Sequence, residues 1–231
     1  MDEPSLRQLP LFPLGTALFP GGYLPLRIFE VRYLDMVGKA HREGRPFGVV
    51  TLTQGSEVQR PAGGAGAAGS ADGQAAYAPE AFLPVGTLAM ITALESPQPG
   101  LLMIRCQGTQ RFRVQRSEKL RHGLWVADVD LLPADATLAV PSDLQPVAEA
   151  LQALLVRMQA QGAPADALPV QPPYVLDDCA WVANRWCELL PLATVDRQRL
   201  LALDNPLLRL ELVGDMLAHH GVLGSGSPPP A

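Results

Sequence analysis

Apolar positions in the first 140 residues come in short runs broken by Pro, Gly and charged residues. LPLFPL (9–14) and YLPLRIF (23–29) are two such runs; the FPGG between them fits a tight reversal. Their prolines suit edge strands or bulges, because Pro has no N–H to give to a ladder. FGVVTLT (47–53) and VGTLAMITALE (85–95) read as strands, and LLMIRCQGTQRFRVQRS (101–117) as a long strand that bends at Gly108. In GLWVADVDLL (123–132), Trp125, Ala127, Val129 and Leu131 alternate onto one face. The same alternation in QRFRVQR predicts Phe112 in the core, with Arg111 and Arg113 in water. One helix interrupts the strands: Phe29, Tyr33, Met36, Val37 and Ala40 have helical spacing, and the helix should end before Gly44. Short strands separated by turn signals predict a barrel or sandwich.

The period changes after a linker at 133–141. Ser142 and Gln145 resemble a capping box, and Leu144, Val147, Leu151, Leu154, Leu155 and Met158 follow as one stripe. A second helix should start at Asp177 or Asp178, use Val182, Trp186, Leu189 and Leu190, and stop near Pro191. Thr194 can cap a third, running through Leu203. Asn205 and Pro206 form a helix start, with Gly221 as the stop of a fourth helix. Leu207, Leu208, Leu210, Leu212 and Val213 extend beyond one stripe, so the helices should pack against the β part. The expected division is 1–140 (β), 141–223 (helical) and a disordered tail at 224–231. Residues 55–81 are rich in Gly and Ala and read as a flexible insert between two strands.

Composition narrows the chemistry. The chain has 231 residues, enough for one large domain or two small ones, and 48% hydrophobic residues, enough for a core. Its net charge of −5 argues against nucleic acid as the general partner. Cys106, Cys179 and Cys187 are odd in number and form no CxxC, which fits buried thiols in a reducing cytosol. The start, MDEPSLR, lacks the basic segment of a secretory signal, and Pro breaks the apolar stretch after it. A cytoplasmic protein without a membrane span is the expectation.

GAGAAG (64–69) matches GxGxxG, but no strand precedes it and no helix follows, so it marks no dinucleotide site. P-loop and GxSxG motifs are absent, and adjacent His219 and His220 diverge by about 100° on a helix, wrong for a shared metal. No catalytic residue, cofactor or metal is expected. Arg105, Arg111, Arg113, Arg116, Lys119 and Arg121 concentrate positive charge on one strand and turn. This strip offers an alternative RNA-binding surface, although it lacks interleaved aromatics for base stacking.

The opening motifs also carry a resemblance. PLFPL (10–14), Pro20-Gly21, PLRIFE (25–30) and Arg32-Tyr33 resemble, in order, the start of the N-terminal substrate-binding domain of Lon proteases. FGVV, Val85-Gly86-Thr87, IRCQGTQRFRV, the LPL at 190–192 and RQRLLALDNPLLRLELVGDML are similar to later segments of that domain. Two features depart from the family: PQPGLLM replaces a DGR-like turn, and the Gly-rich insert is larger. The resemblance implies a PUA-like, mostly antiparallel β-barrel with a short helix, followed by a C-terminal helical bundle. It implies a stand-alone, non-catalytic module without ATPase or peptidase domains. Its partners would be polypeptide segments or a protein partner, with a protease system among the possibilities. The surface implied for them is Tyr23, Leu24, Phe29, Glu30, Arg32 and Tyr33. Phe29 and Tyr33 also share the apolar face of the predicted helix, which favours core positions for both.

Overall fold

The computed structural model describes residues 4–55, 79–161 and 168–223. The insert at 56–78, its GAGAAG motif and the tail from 224 onward lie outside the described residues. Among those described, the strands are β1 (Ser5–Leu14), β2 (Tyr23–Ile28), β3 (Phe47–Gln54), β4 (Ala81–Gln98), β5 (Leu101–Lys119) and β6 (Trp125–Leu131). The helices are α1 (Val31–Glu43), α2 (Gln145–Ala160), α3 (Cys179–Leu189), α4 (Thr194–Leu201) and α5 (Pro206–His219).

The architecture is mixed α+β around one six-stranded sheet, in the order β2-β5-β4-β3-β1-β6. β6 also pairs with β5, so the sheet closes on itself. It is not a clean barrel. β5 pairs along one edge first with β2, through residues 102–107, and then with β6, through residues 112–119. Its 19 residues are long enough to serve both, which leaves β2 outside the closed ring. β1 and β3 are parallel, because β2 and α1 intervene between them. Pro25 lies on edge strand β2, as expected, but Pro10 and Pro13 lie in β1, which has partners on both sides. β1 accommodates them because each is matched on one side: Pro10 with Val126 of β6, before the β3 register begins, and Pro13 with Val50 of β3, after the β6 register has ended.

Helix ends follow the chain's chemistry with three corrections. Asn205 caps α5 by accepting from the Leu207 and Leu208 N–H groups, and Asp178 caps α3 by accepting from Trp181 N–H. The capping box at Ser142 does not form; α2 begins at Gln145. A start at Ser142 would require the N–H of residue 146 to donate four residues back, and residue 146 is Pro. Thr194 does not cap α4: its hydroxyl donates to Gly15 O instead, and Ala193 takes the cap position. Phe29 is not a core residue. β2 ends at Ile28 and α1 begins after Glu30, so Phe29 belongs to neither and is 50% exposed.

Three apolar clusters fill the molecule. One packs α1, through Tyr33, Met36 and Val37, on one face of β1–β5. A second centres on Phe112, with Leu9, Leu11, Val50, Ala127 and Val129. Gly48 and Gly86 make room for the Phe112 ring: a Cβ at either position would come within 2.7 Å of its Cζ. The third combines residues from all four later helices with Ala17, Phe19, Val85 and Leu132 from the β part. The helices therefore share their core with the sheet. Leu210 and Val213 are fully enclosed there, whereas Leu208 stays partly exposed.

The Phe112 cluster yields a direct test of the register. Phe112→Ala should destabilise the protein by about 3–5 kcal/mol in urea melts, because the two glycines cannot fill the cavity. A loss below about 1 kcal/mol would contradict this packing.

Candidate functional site

The corner where β2 turns into α1 brings together Phe29, Glu30, Arg32 and Tyr33, whereas Tyr23 and Leu24 lie at the other end of β2. Glu30 occupies the N-cap position of α1 but makes no side-chain cap. Its carboxylate instead accepts from Arg32 Nε at 3.1 Å. Arg32 is buried; it donates to Gly123 O at 2.9 Å, lies 3.5 Å from Glu80 Oε1 and sits 4.3 Å over the Tyr33 ring. Tyr33 stacks on Phe12 with ring centroids 4.0 Å apart. Leu24 packs into the same core, and Tyr23 OH accepts from Gln107 Nε2. Internal contacts thus engage Arg32 and Tyr33, whereas Phe29 and Val31, the latter 75% exposed, project from the corner.

Glu80 holds this corner and is not singled out by the chain's pattern, because it falls within the segment read as insert. It also accepts from Lys119 Nζ and Trp125 Nε1, both at 2.8 Å. Burial opposes its ionisation. The Lys119 and Trp125 hydrogen bonds and the Arg32 charge outweigh burial and hold its carboxyl below the usual range. A lone acid followed by strand residues is the only sequence signal that could have marked it.

The basic strip does not present a continuous surface. Arg113, Arg116 and Arg121 are exposed, and Arg105 and Lys119 are half-buried. Arg111 is 3% exposed, a correction to the expectation that it faces water. Alternation placed it opposite Phe112, but that second face is covered here by the later helices. Arg111 Nη1 donates to the carbonyls of Leu201 and Leu203, both at 3.0 Å, and Nη2 lies 3.3 Å from Asp135. Asp135 also takes two bonds from Arg209, at 2.7 and 3.1 Å. Arg209 reaches Asn184 Oδ1, Leu200 O and Leu203 O as well. Burial would raise the Asp135 pKa, but the Arg209 hydrogen bonds and the charges of Arg209 and Arg111 hold it below the ordinary value.

Other polar links cross the same seam. Arg185 donates to Pro20 O, Arg197 to Thr16 Oγ1 and Gln198 to Val85 O. The cysteines are free and buried, and burial pushes the Cys106 and Cys187 thiols up to about 12, which suppresses thiolate chemistry. No helix of the described residues is long and apolar enough to cross a membrane.

A mixed α+β fold of this order, with helices sharing the core of a closed sheet, defines a structural class. The family follows from the match. The model of the ATP-dependent protease La (LON) substrate-binding domain covers residues 8–219, and the chain belongs to this family. Among solved structures, the Lon N-terminal domain protein from Xanthomonas campestris is similar at 32% identity and a TM-score of 0.65. That match covers 91% of this chain and 98% of the other. The N-terminal domain of the Mycobacterium avium complex Lon protease shares the fold at 16% identity and a TM-score of 0.54, over 94% and 100% of the two chains. No curated protein matches significantly. The PUA-like description of the domain stands with this membership.

Asp135 offers the sharpest test of the seam. Asp135→Asn leaves buried Arg209 without a carboxylate and buried Arg111 with only the exposed Asp204, 3.1 Å away, and should cost about 3–5 kcal/mol at pH 7 by urea denaturation. A folded pKa below the unfolded one means that Asp135 contributes in full above the ordinary carboxylate range. That contribution is lost as pH falls through the folded pKa. The difference between wild type and variant should therefore shrink on acidification below about pH 4. A constant difference down to pH 3 would show that the carboxylate charge is not what matters.

Proposed function

We propose that the chain is a non-catalytic module that binds segments of other polypeptides at the β2–α1 corner. The observation that carries this reading is membership of the LON substrate-binding family across residues 8–219. Exposed Phe29 and Val31 support the location, since exposed apolar side chains on a rigid base are the usual anchors of binding surfaces. Tyr23 and Leu24, at the opposite end of β2, extend the proposed surface along that strand, and Glu30, Arg32 and Tyr33 form the seat that holds the corner still. Holding it still limits the ordering cost of binding.

The module works by binding alone, delivering bound segments to a separate protease system in the cytoplasm. Residues 1–140 and 141–223 act as two parts of one unit, a β-barrel-like part and a helical bundle, a division supported by the change of period near residue 141.

Fluorescence anisotropy with labelled, unfolded casein tests the reading. The protein should bind casein, and Phe29→Ser with Val31→Ser should weaken binding about tenfold or more, equivalent to about 1.4 kcal/mol. Stability should change by no more than about 0.5 kcal/mol, since both side chains are exposed. Unchanged casein affinity would remove the corner from the site. ATP turnover or casein cleavage that co-purifies with the chain would overturn the non-catalytic reading.

A further inference from the structure

Between the start of α2 and the C-terminal half of α5 lies a groove of about 790 Å3. Its floor includes Leu144, Val147, Gly214, Ala218 and Leu223. Its origin lies in the α5 sequence. Leu210, Val213 and Leu217 point into the shared core, while Glu211, Gly214, Asp215 and Ala218 recur three and four residues apart on another face. Gly214 is buried and lets α2 approach closely, since a Cβ there would lie 3.3 Å from Val147, and one turn on the exposed Ala218 is too small to close the gap that opens beyond this contact. The groove is also one-signed. Asp143, Glu211 and Asp215 line it, all three are exposed, and no Lys or Arg is among the lining residues. None of the three carries a salt bridge among the described residues.

We infer that this groove is a second docking site, which takes polypeptide segments carrying Lys or Arg beside an apolar side chain. The inference rests on the reading of the chain as a polypeptide-binding module and names a substrate class for it. Unpaired carboxylates around an apolar floor create a local negative field that attracts cations. Lys and Arg suit such a place in both their parts: the aliphatic stem covers the apolar floor and the charged head reaches the rim. The volume falls within the range of about 300–1,000 Å3 that binding pockets occupy, room for a few side chains. The field disfavours nucleic acid and acidic segments. The groove and the β2–α1 corner share no residue, so the two sites are separable by substitution.

The probe is a fluorescein-labelled 14-residue peptide of Leu, Ala and Lys, set against a counterpart with Glu in place of Lys. The Lys peptide should bind at low ionic strength, more weakly near 0.15 M, where the Debye length is about 8 Å. Asp143→Asn, Glu211→Gln and Asp215→Asn together should weaken it about tenfold, with the urea midpoint unchanged. Should the triple variant not fold, Ala218→Arg, a like charge in the groove, must give a similar loss. A photo-crosslinking residue at position 218 should capture the Lys peptide. Wild-type affinity in a folded triple variant, or equal binding of the Glu peptide, would overturn the site. Phe29→Ser with Val31→Ser should leave the Lys peptide unaffected. Casein binding that depends on Phe29, without any binding of the Lys peptide, sinks the groove and leaves the module standing. Lys-peptide binding at the groove, with casein indifferent to Phe29 and Val31, sinks the corner instead.

Discussion

One buried carboxylate anchors the later helices to the sheet. Asp135, on the chain between β6 and α2, faces the guanidinium of Arg111 from β5 and that of Arg209 from α5. A buried charge without a partner is costly, and a buried pair is tolerated only when its remaining donors are also satisfied. Here they find the carbonyls of Leu200, Leu201 and Leu203 and the amide of Asn184. Those carbonyls sit at the end of α4, where a helix leaves acceptors without intrahelical partners. The arginines therefore satisfy the helix end while the helix end satisfies the arginines. Apolar burial around Phe19, Trp186 and Leu210 supplies the non-directional attraction, and this network sets the register of helices on sheet.

The same logic holds the β2–α1 corner at smaller scale. Glu80 gathers Arg32, Lys119 and Trp125, and so ties the start of α1 to the β5–β6 end of the sheet. A different strategy operates at Glu188. Burial pushes its carboxyl up to about 7, although Arg185 lies 3.0 Å away and pulls the other way. A raised carboxyl favours the fold at acid pH and loses that contribution as pH rises toward 7, the opposite sense to Asp135 and Glu80. The polar seam thus contains groups of both signs of pH response, and the two partly offset each other.

Much of the fold was legible because its causes are local. All six strands lie where short apolar runs sit between turn residues, and Asp178, Asn205 and Gly44 mark helix ends by chemistry that needs only their near neighbours. The failures have a common form. At Arg111, alternation told correctly which face the side chain takes but not what covers that face. At Phe29, helical spacing continued backward past the point where the backbone changes direction. Glu80 was hidden because its partners lie 39 to 48 residues away, and no local pattern records such a distance.

By itself, then, the sequence determined the elements, the helix ends at Gly44, Asp178 and Asn205, the apolar face of α1 from Tyr33 onward and the family motifs from PLFPL to the last helix. Those depend on propensity, period and capping, which act over a few residues. Only the tertiary structure decided that β5 serves two neighbours on one edge, that Arg111 and Arg209 share Asp135, and that Phe29 stays in water while Tyr33 does not. It also left a one-signed groove between α2 and α5. Each of these is settled by which surfaces meet, and burial and charge pairing act between residues brought together from distant parts of the chain.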